Sequence, residues 1–175
     1  MTMASIWMLL NVLRVLNSGW TLRIAADCTY KIAINAVALM GFCVNSMGGL
    51  HHLVALSIIP EKGGECEASY TETWRAVCNC LHKILTSYVY CADPNCATCQ
   101  AVREVREHKE TKKLVANARF ARDKHIPVSG CISDNHAGFR KFALNFLHLV
   151  ADNCSSHMAG NDSLQVCSVV SQPLT

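Results

Sequence analysis

Two aspartates occupy positions where a carboxylate needs a partner. Asp27 interrupts the apolar stretch LRIAADCTYKI, and Asp134 directly follows the stretch IPVSGCIS. A charge inside an apolar strand is costly unless it is paired or bound to a metal. Two neighbouring carboxylates can share a divalent cation such as Mg²⁺, which prefers carboxylate oxygen. Such a pair can hold metal for in-line attack on a phosphate, so the chemistry it suggests is phosphoryl transfer.

Ordinary structural roles are the alternative for both aspartates. Asp134 precedes a helix predicted to begin near Ala137, and aspartate is a common N-cap residue at such a position. Asp27 could accept a hydrogen bond from Thr29 or lie at the edge of a sheet. The residue pattern alone leaves the metal pair and the structural roles open.

A second group of candidate ligands consists of cysteines. Cys91, Cys96 and Cys99 form a C-x4-C-x2-C pattern, and His108 follows nine positions after Cys99. Zinc takes four ligands of these types in tetrahedral geometry, so the four residues are a candidate zinc site. The last spacing is longer than in common zinc fingers, and a helix over 101–124 would direct His108 away. Unpaired thiols in a loop are the alternative.

A Cys-x-x-His pair, Cys154 and His157, follows the last apolar run. The pair is half of a zinc ligand set, and the alternative is a thiol and an imidazole at the end of a strand. Catalysis by a Cys–His nucleophile would need a third group to orient the histidine, and none is evident in the sequence.

The apolar patterns predict the elements that would position these side chains. Three runs rich in β-branched and aromatic residues are joined by short connections, which favours an antiparallel meander. A helix is predicted from about Glu67 to Leu85, because apolar residues recur there at helical spacing. The predicted elements are strands at 20–32, 34–46 and 50–60, the helix, a further strand at 126–133, a helix at 137–147 and a strand at 147–154.

This order of elements predicts an α/β domain with a mixed sheet and helices on its faces. The first strand of such a sheet can be central, with a later strand added beside it in parallel. Asp27 and Asp134 would then approach each other although 107 positions separate them (134 minus 27). Residues 1–19 are predicted to form a packing helix, because their apolar run is interrupted and too short to cross a bilayer.

The composition limits the class of protein. A hydrophobic content of 51% with 17% charged residues predicts a globular chain, and a net charge of +3 neither demands nor excludes a polyanionic partner. Eleven cysteines are an odd number without a paired framework, which favours reduced thiols in an intracellular, non-secreted protein. Residues 103–124 carry eight Lys or Arg and four acids; such a segment could contact phosphate, but mixed charges more often form a solvated face.

Four stretches in the same order resemble the catalytic domain of Mutator-like element (MULE) transposases. The resemblance covers about residues 13–161, apart from an insertion at about 90–127, and the ordered series is more specific than any single motif. The stretches are LRIAADCTYKI, GGLHHLVALSIIPEKGGECEASYTETWRAVCNCL, CISDNHAGFRKFALNFL and ADNCSSHMAGN.

The resemblance implies a ribonuclease H-like fold over residues 20–161, with a tail at 162–175. It also implies an Asp-Asp-Glu triad that binds two divalent ions, Mg²⁺ or Mn²⁺, for cleavage and joining of DNA. Asp27 matches the first aspartate and Asp134 the second, and Cys154 and His157 match the family's Cys-x-x-His pair. The resemblance also implies a nuclear protein that binds DNA, is able to form a homo-oligomer and has no membrane role.

The sequence departs from the family at the third carboxylate. The family's catalytic Glu follows a long, mostly helical insertion beyond the Cys-x-x-His pair, whereas residues 158–175 contain no Glu. The only carboxylate there, Asp162, is too close to the pair to match the pattern. The expectation is a truncated catalytic domain that is inactive by itself, and the alternative is a non-catalytic, domesticated DNA- or protein-binding module.

Overall fold

The computed structural model describes residues 2–20, 22–29, 37–45, 51–60, 64–133, 136–149 and 152–153. These residues form a mixed α/β structure in which helices flank a six-stranded sheet. The elements are β1 Thr2–Met3, α1 Ile6–Asn17, β2 Arg23–Thr29, β3 Val37–Asn45, β4 His51–Pro60, α2 Glu67–Ser87, α3 Ala97–Glu107, α4 Lys109–Ala116, α5 Ala118–Asp123, β5 Gly130–Ser133, α6 Ala137–Phe142 with a following π-helical turn Ala143–Leu147, and β6 Asp152–Asn153.

The sheet is mixed, with the strand order β1-β4-β3-β2-β5-β6. The strands β2, β3 and β4 form an antiparallel meander, as the sequence predicts. The strand β5 joins β2 in parallel, and β6 joins β5 in parallel. The first strand of the meander is therefore central, and the end of β2 lies beside the end of β5.

The core lies on one face of the sheet, under α1 and α2. Alternate residues of a strand point to opposite faces, so Ile24 and Ala26 of β2 are buried whereas Asp27 is exposed. Trp74 and Tyr70 of α2 are among the largest fully buried side chains. Burial of an aromatic side chain of this size contributes about 2–3 kcal/mol relative to an exposed one, so these rings help to anchor α2 together with its other buried residues.

The N-terminal helix α1 belongs to the same core. Its N-cap Ser5 accepts a hydrogen bond from the Met8 backbone N–H at 3.2 Å. The buried residues recur at helical spacing and face the sheet: Leu9, Leu10, Val12, Leu13 and Val15. Within the described ranges, no helix combines the length and the apolar character that a membrane span requires.

The charged segment folds differently from the single helix expected over 101–124. Three helices, α3, α4 and α5, replace it, and the backbone is extended at the two junctions, His108 and Asn117. Each junction residue caps the next helix with its side chain: His108 Nδ1 accepts from the Glu110 N–H, and Asn117 Oδ1 accepts from the Arg119 N–H. Local side-chain acceptors of this kind stabilise helix starts and so divide a helical pattern.

The last predicted strand is also shorter than expected. The chain remains helical through the π-helical turn to Leu147, and His148 then adopts a left-handed conformation with φ 58°. Of the residues that the structure describes in the predicted strand 147–154, Asp152–Asn153 pair with β5 and 147–149 do not. Leu147, the first apolar residue of this stretch, belongs to the helical turn, and an apolar run by itself does not distinguish a helix from a strand.

Candidate functional site

Asp27 lies on the solvent-exposed face of β2. Its backbone pairs with that of Gly41 on β3. Because Gly41 has no side chain, no Cβ stands beside the carboxylate at the paired position. Asp27 Oδ1 accepts a hydrogen bond from the Cys28 N–H at 2.8 Å, so the aspartate has a local backbone partner and remains open to solvent.

The second aspartate of the predicted metal pair, Asp134, and the predicted Cys-x-x-His pair, Cys154 and His157, lie outside the described residues, so their roles remain predictions. The nearest described neighbours of Asp134 are Ser133, the last residue of β5, and His136, the N-cap of α6.

A buried carboxylate next to this region went unrecognised in the sequence. The Glu65 side chain is only 10% exposed and accepts a hydrogen bond from the Tyr70 hydroxyl at 2.5 Å. His136 Nδ1 lies 3.6 Å from Glu65 Oε1 and accepts a hydrogen bond from the Gly138 N–H at 3.2 Å. In the sequence Glu65 is one of several acids near a helix start. The residue that marks Glu65 as different is Tyr70, because the first turn of α2 places its hydroxyl beside the Glu65 carboxylate.

The starts of α2 and α6 meet at this cluster. A Cβ atom added to Gly138 would lie 2.8 Å from the Glu65 carbonyl oxygen and 2.9 Å from Cys66 Cα, so only glycine fits without a shift of backbone. Beside this contact lies an open cleft of about 660 Å³. Its charged lining is mixed: Glu65, Glu67, Glu72, Arg75, His136 and Lys141. The cleft therefore has no single-sign field that would select an anion or a cation.

Cys28 stands between Asp27 and the Glu65 cluster. Burial, followed by the negative charge of Glu65, raises the pKa of the Cys28 thiol to about 12. Burial and the hydrogen bond to Glu65 also raise the pKa of Tyr70. Both groups therefore stay protonated at neutral pH, and neither is an activated nucleophile.

The cysteine-rich segment forms a compact cluster. The Sγ atoms of Cys91, Cys96 and Cys99 all lie within 4.8 Å of one another, and those of Cys91 and Cys99 are 3.4 Å apart. In the part of the chain that the structure describes, this is the one group of three or more potential ligands of this kind. Three of the four candidate ligands thus lie together, and the group could hold a metal ion such as Zn²⁺.

His108 does not join the three cysteines, which corrects the predicted four-ligand set. It lies at the far end of α3, and its Nδ1 accepts the Glu110 N–H at 3.3 Å as the cap of α4. The eleven-residue helix α3 separates it from Cys96 by about 18 Å, twelve steps at the usual rise per residue. The long spacing after Cys99 already counts against His108, but its place is settled by where the helix begins and ends.

Hydrogen bonds set the protonation of the cluster. The Cys91 N–H donates to Cys99 Sγ at 3.3 Å, and the Tyr88 hydroxyl lies 3.6 Å from the same sulfur. The backbone bond and then the hydroxyl lower the pKa of Cys99 to about 7. The hydrogen bond between the two thiols raises the pKa of Cys91 to about 11. The Cys99 thiol is therefore partly ionised at neutral pH.

The basic residues of α3, α4 and α5 lie mostly at the surface, as predicted for a solvated face. Lys109, Lys112 and Arg119 are exposed, and Lys113 pairs with Glu110 at 3.0 Å. Arg103 and Arg106 lie over the ring of Tyr90, with distances of 5.2 and 5.8 Å to its centroid.

Comparisons of this chain with protein-family models, with curated proteins and with solved structures find no match.

Proposed function

We propose that this chain derives from the ribonuclease H-like catalytic domain of a MULE-type transposase. Asp27 and Asp134 then bind Mg²⁺ or Mn²⁺ beside a DNA phosphate, and the ancestral reaction is metal-dependent cleavage and transfer of DNA strands. A DNA-bound, nuclear protein follows from this proposal.

The observation that carries the proposal is the parallel register of β2 and β5. Arg23 lies opposite Gly130 and Ala25 opposite Ile132, an offset of 107 positions (130 minus 23). Asp27 and Asp134 differ by the same 107 positions (134 minus 27). A register continued by two residues would pair them on one face at the strand spacing of about 4.8 Å, which is bridging distance for a shared cation.

Two further features support the proposal. A three-stranded antiparallel meander with parallel strands added beside its first strand is the sheet that a ribonuclease H-like fold requires. Asp27 is exposed, so a hydrated ion has room on the solvent side of the carboxylate. Mg²⁺ usually keeps several of its waters, and such room is a condition for binding it.

The proposed activity of this polypeptide alone is binding without strand joining. Two of the family's three carboxylates have counterparts here, and residues 158–175 contain no Glu. Two carboxylates can hold a metal ion weakly, but two-metal catalysis stabilises both the attacking and the leaving oxygen. We therefore expect metal and DNA binding with little or no cleavage.

The test is Mn²⁺ binding, measured from the electron paramagnetic resonance signal of the free ion. The wild-type chain should bind Mn²⁺, and Asp27→Asn and Asp134→Asn should each weaken binding at least tenfold. Asp123→Asn, which removes an acid on α5 that pairs with Arg122, is the matched control and should bind as the wild type does. Equal binding by all four proteins would refute the proposed site, and nicking of plasmid DNA that Asp134→Ala abolishes would refute the proposed inactivity.

A non-catalytic DNA-binding module is the second candidate function. It is favoured by the exposed basic residues of α3 to α5, which can contact phosphates without any metal. This candidate would be favoured if Asp27→Asn still bound DNA in a salt-sensitive way without metal. Loss of DNA binding in Lys109→Gln/Lys112→Gln would place the contact on these helices.

A further inference from the structure

We propose that Cys91, Cys96 and Cys99 bind one Zn²⁺ ion as three thiolates, with water as the fourth ligand. The ion fixes residues 88–96 to the start of α3. This site does not depend on the transposase proposal, because it uses none of the residues around Asp27.

The sulfur geometry fits zinc better than it fits a disulfide. Three sulfurs at the usual zinc–sulfur distance in tetrahedral geometry lie about 3.8 Å from one another. The Sγ atoms of Cys91 and Cys99 are 3.4 Å apart, and all three sulfurs lie within 4.8 Å of one another. A disulfide would require about 2.0 Å between two of the sulfurs and would leave the third without a role. Shifts of no more than about 1 Å would complete the zinc site.

The backbone gathers the three cysteines by two local devices. A turn at Asp93–Asn95 reverses the chain: the Cys96 N–H donates to the Asp93 carbonyl oxygen at 3.3 Å, and the Asn95 N–H donates to Asp93 Oδ1 at 2.9 Å. The helix α3 then begins at Ala97, so Cys96 and Cys99 are three positions apart at its first turn and lie on the same side. The turn and the helix together bring Cys91 back to the other two sulfurs.

The start of α3 favours negative charge at the cluster. Cys96 is the N-cap of the helix, its side chain caps no backbone N–H, and the first turn contains no acidic residue. The helix dipole therefore acts on the thiolates without a competing carboxylate in that turn. Three thiolates around Zn²⁺ carry a net charge of −1, which the N-terminal dipole stabilises.

The fourth ligand is assigned to water because no fourth side chain of the described residues joins the group. The histidine that the sequence offered, His108, caps α4 instead. Cys91 is exposed, so solvent reaches the cluster. Three protein ligands and an open position occupied by water are a known form of zinc coordination.

The test is the metal content of the full chain purified under reducing conditions, together with the absorption spectrum after Co²⁺ replacement. We expect one Zn²⁺ per chain and a thiolate-to-cobalt charge-transfer band. Cys91→Ser, at an exposed position, and Cys96→Ser should each lose at least tenfold in zinc affinity. Circular dichroism of the two variants distinguishes loss of the site from loss of the fold.

Two matched variants separate this site from its alternatives. Cys80→Ser removes an exposed cysteine outside the cluster and should keep full zinc content. His108→Asn keeps an N-cap side chain and should also keep zinc, because His108 is not a ligand. Four results would each overturn the proposal. They are loss of zinc in His108→Asn, half an equivalent of zinc bridging two copies of the chain, unchanged zinc content in Cys96→Ser, and a Cys91–Cys99 disulfide in place of zinc.

Discussion

Ala25 lies opposite Ile132 in the parallel pair of β2 and β5. This single pairing sets the relation between two segments that lie far apart in the sequence. It makes the end of β2 and the end of β5 neighbours, and it gives Asp27 its place in the proposed metal site.

The first prediction concerns stabilisation by metal. Ligands that bind only the folded state stabilise it by about 2.7 kcal/mol at a concentration one hundred times the dissociation constant. Mn²⁺ or Mg²⁺ should therefore raise the melting temperature of the wild-type chain but not that of Asp27→Asn. Without metal the two proteins should melt within a few degrees of each other, because Asp27 is exposed. An equal metal-induced shift in both would exclude Asp27 as a ligand.

The second prediction concerns the contact between α2 and α6. Gly138→Ala places a Cβ less than 3.0 Å from the backbone of Glu65 and Cys66, which must then move. Overpacking of this kind typically costs about 1–3 kcal/mol, which should exceed the gain of about 1 kcal/mol from replacing glycine in a helix. The free energy of unfolding in urea should fall. Gly130→Ala is the control, since the nearest atoms to its added Cβ belong to the Arg23 side chain at 3.6 Å or more. A more stable Gly138→Ala would show that the contact is looser than described.

The third prediction concerns the aromatic core at α6. Phe142 is fully buried and stacks on two other rings. Its ring centroid lies 6.1 Å from that of Tyr70 and 5.7 Å from that of Phe146. Phe142→Ala should therefore lower the free energy of unfolding by about 3–5 kcal/mol. Leu144→Ala is the control, because the Leu144 side chain is 52% exposed. It should change the free energy of unfolding by less than about 0.5 kcal/mol. Similar losses in both variants would mean that the helix has a different rotation.

The fourth prediction concerns alkaline pH. Burial raises the pKa of Cys78 from 9.0 to about 12. Its stabilising contribution is complete below pH 9 and is lost as the pH rises from 9 towards 12, because the unfolded thiol ionises first. The free energy of unfolding should fall by on the order of 1 kcal/mol per pH unit for this group across that window.

Urea unfolding between pH 8 and 11 would measure this slope. In Cys78→Ala the slope should be shallower than in the wild type, although the variant is less stable at every pH. Cys80→Ala, on the exposed side of the same helix, should keep the wild-type slope. Equal slopes for Cys78→Ala and the wild type would contradict the assignment.

The sequence predicts the long-range architecture better than the local irregularities. The meander, α2 and the parallel addition of β5 follow from apolar periodicity, which is strong where one face of an element is buried. The division of 101–124 into three helices follows from the caps at His108 and Asn117. One capping side chain marks each junction, and a charge pattern gives no sign of it.

The candidate sites divide in the same way. The grouping of Cys91, Cys96 and Cys99 is predictable, because a turn and one helical turn separate them. The exclusion of His108 and the burial of Glu65 are not, since each depends on how two helices begin. A glutamate beside a helix start usually interacts with the dipole in solvent, and only the position of Tyr70 shows that this one is buried.

The side-chain amide of Asn17 has consequences for how the chain unfolds. It donates from Nδ2 to the Val105 carbonyl oxygen at 3.4 Å and accepts at Oδ1 from the Thr111 hydroxyl at 2.7 Å. The last residue of α1 thus ties both α3 and α4 to a helix that covers the sheet. We expect the charged helices to melt together with the β-sheet in a single cooperative transition, visible as coincident tryptophan fluorescence and circular dichroism curves. A protease should consequently not cleave between residues 97 and 116 before the domain unfolds. This segment is then an integral part of the cooperative folding unit.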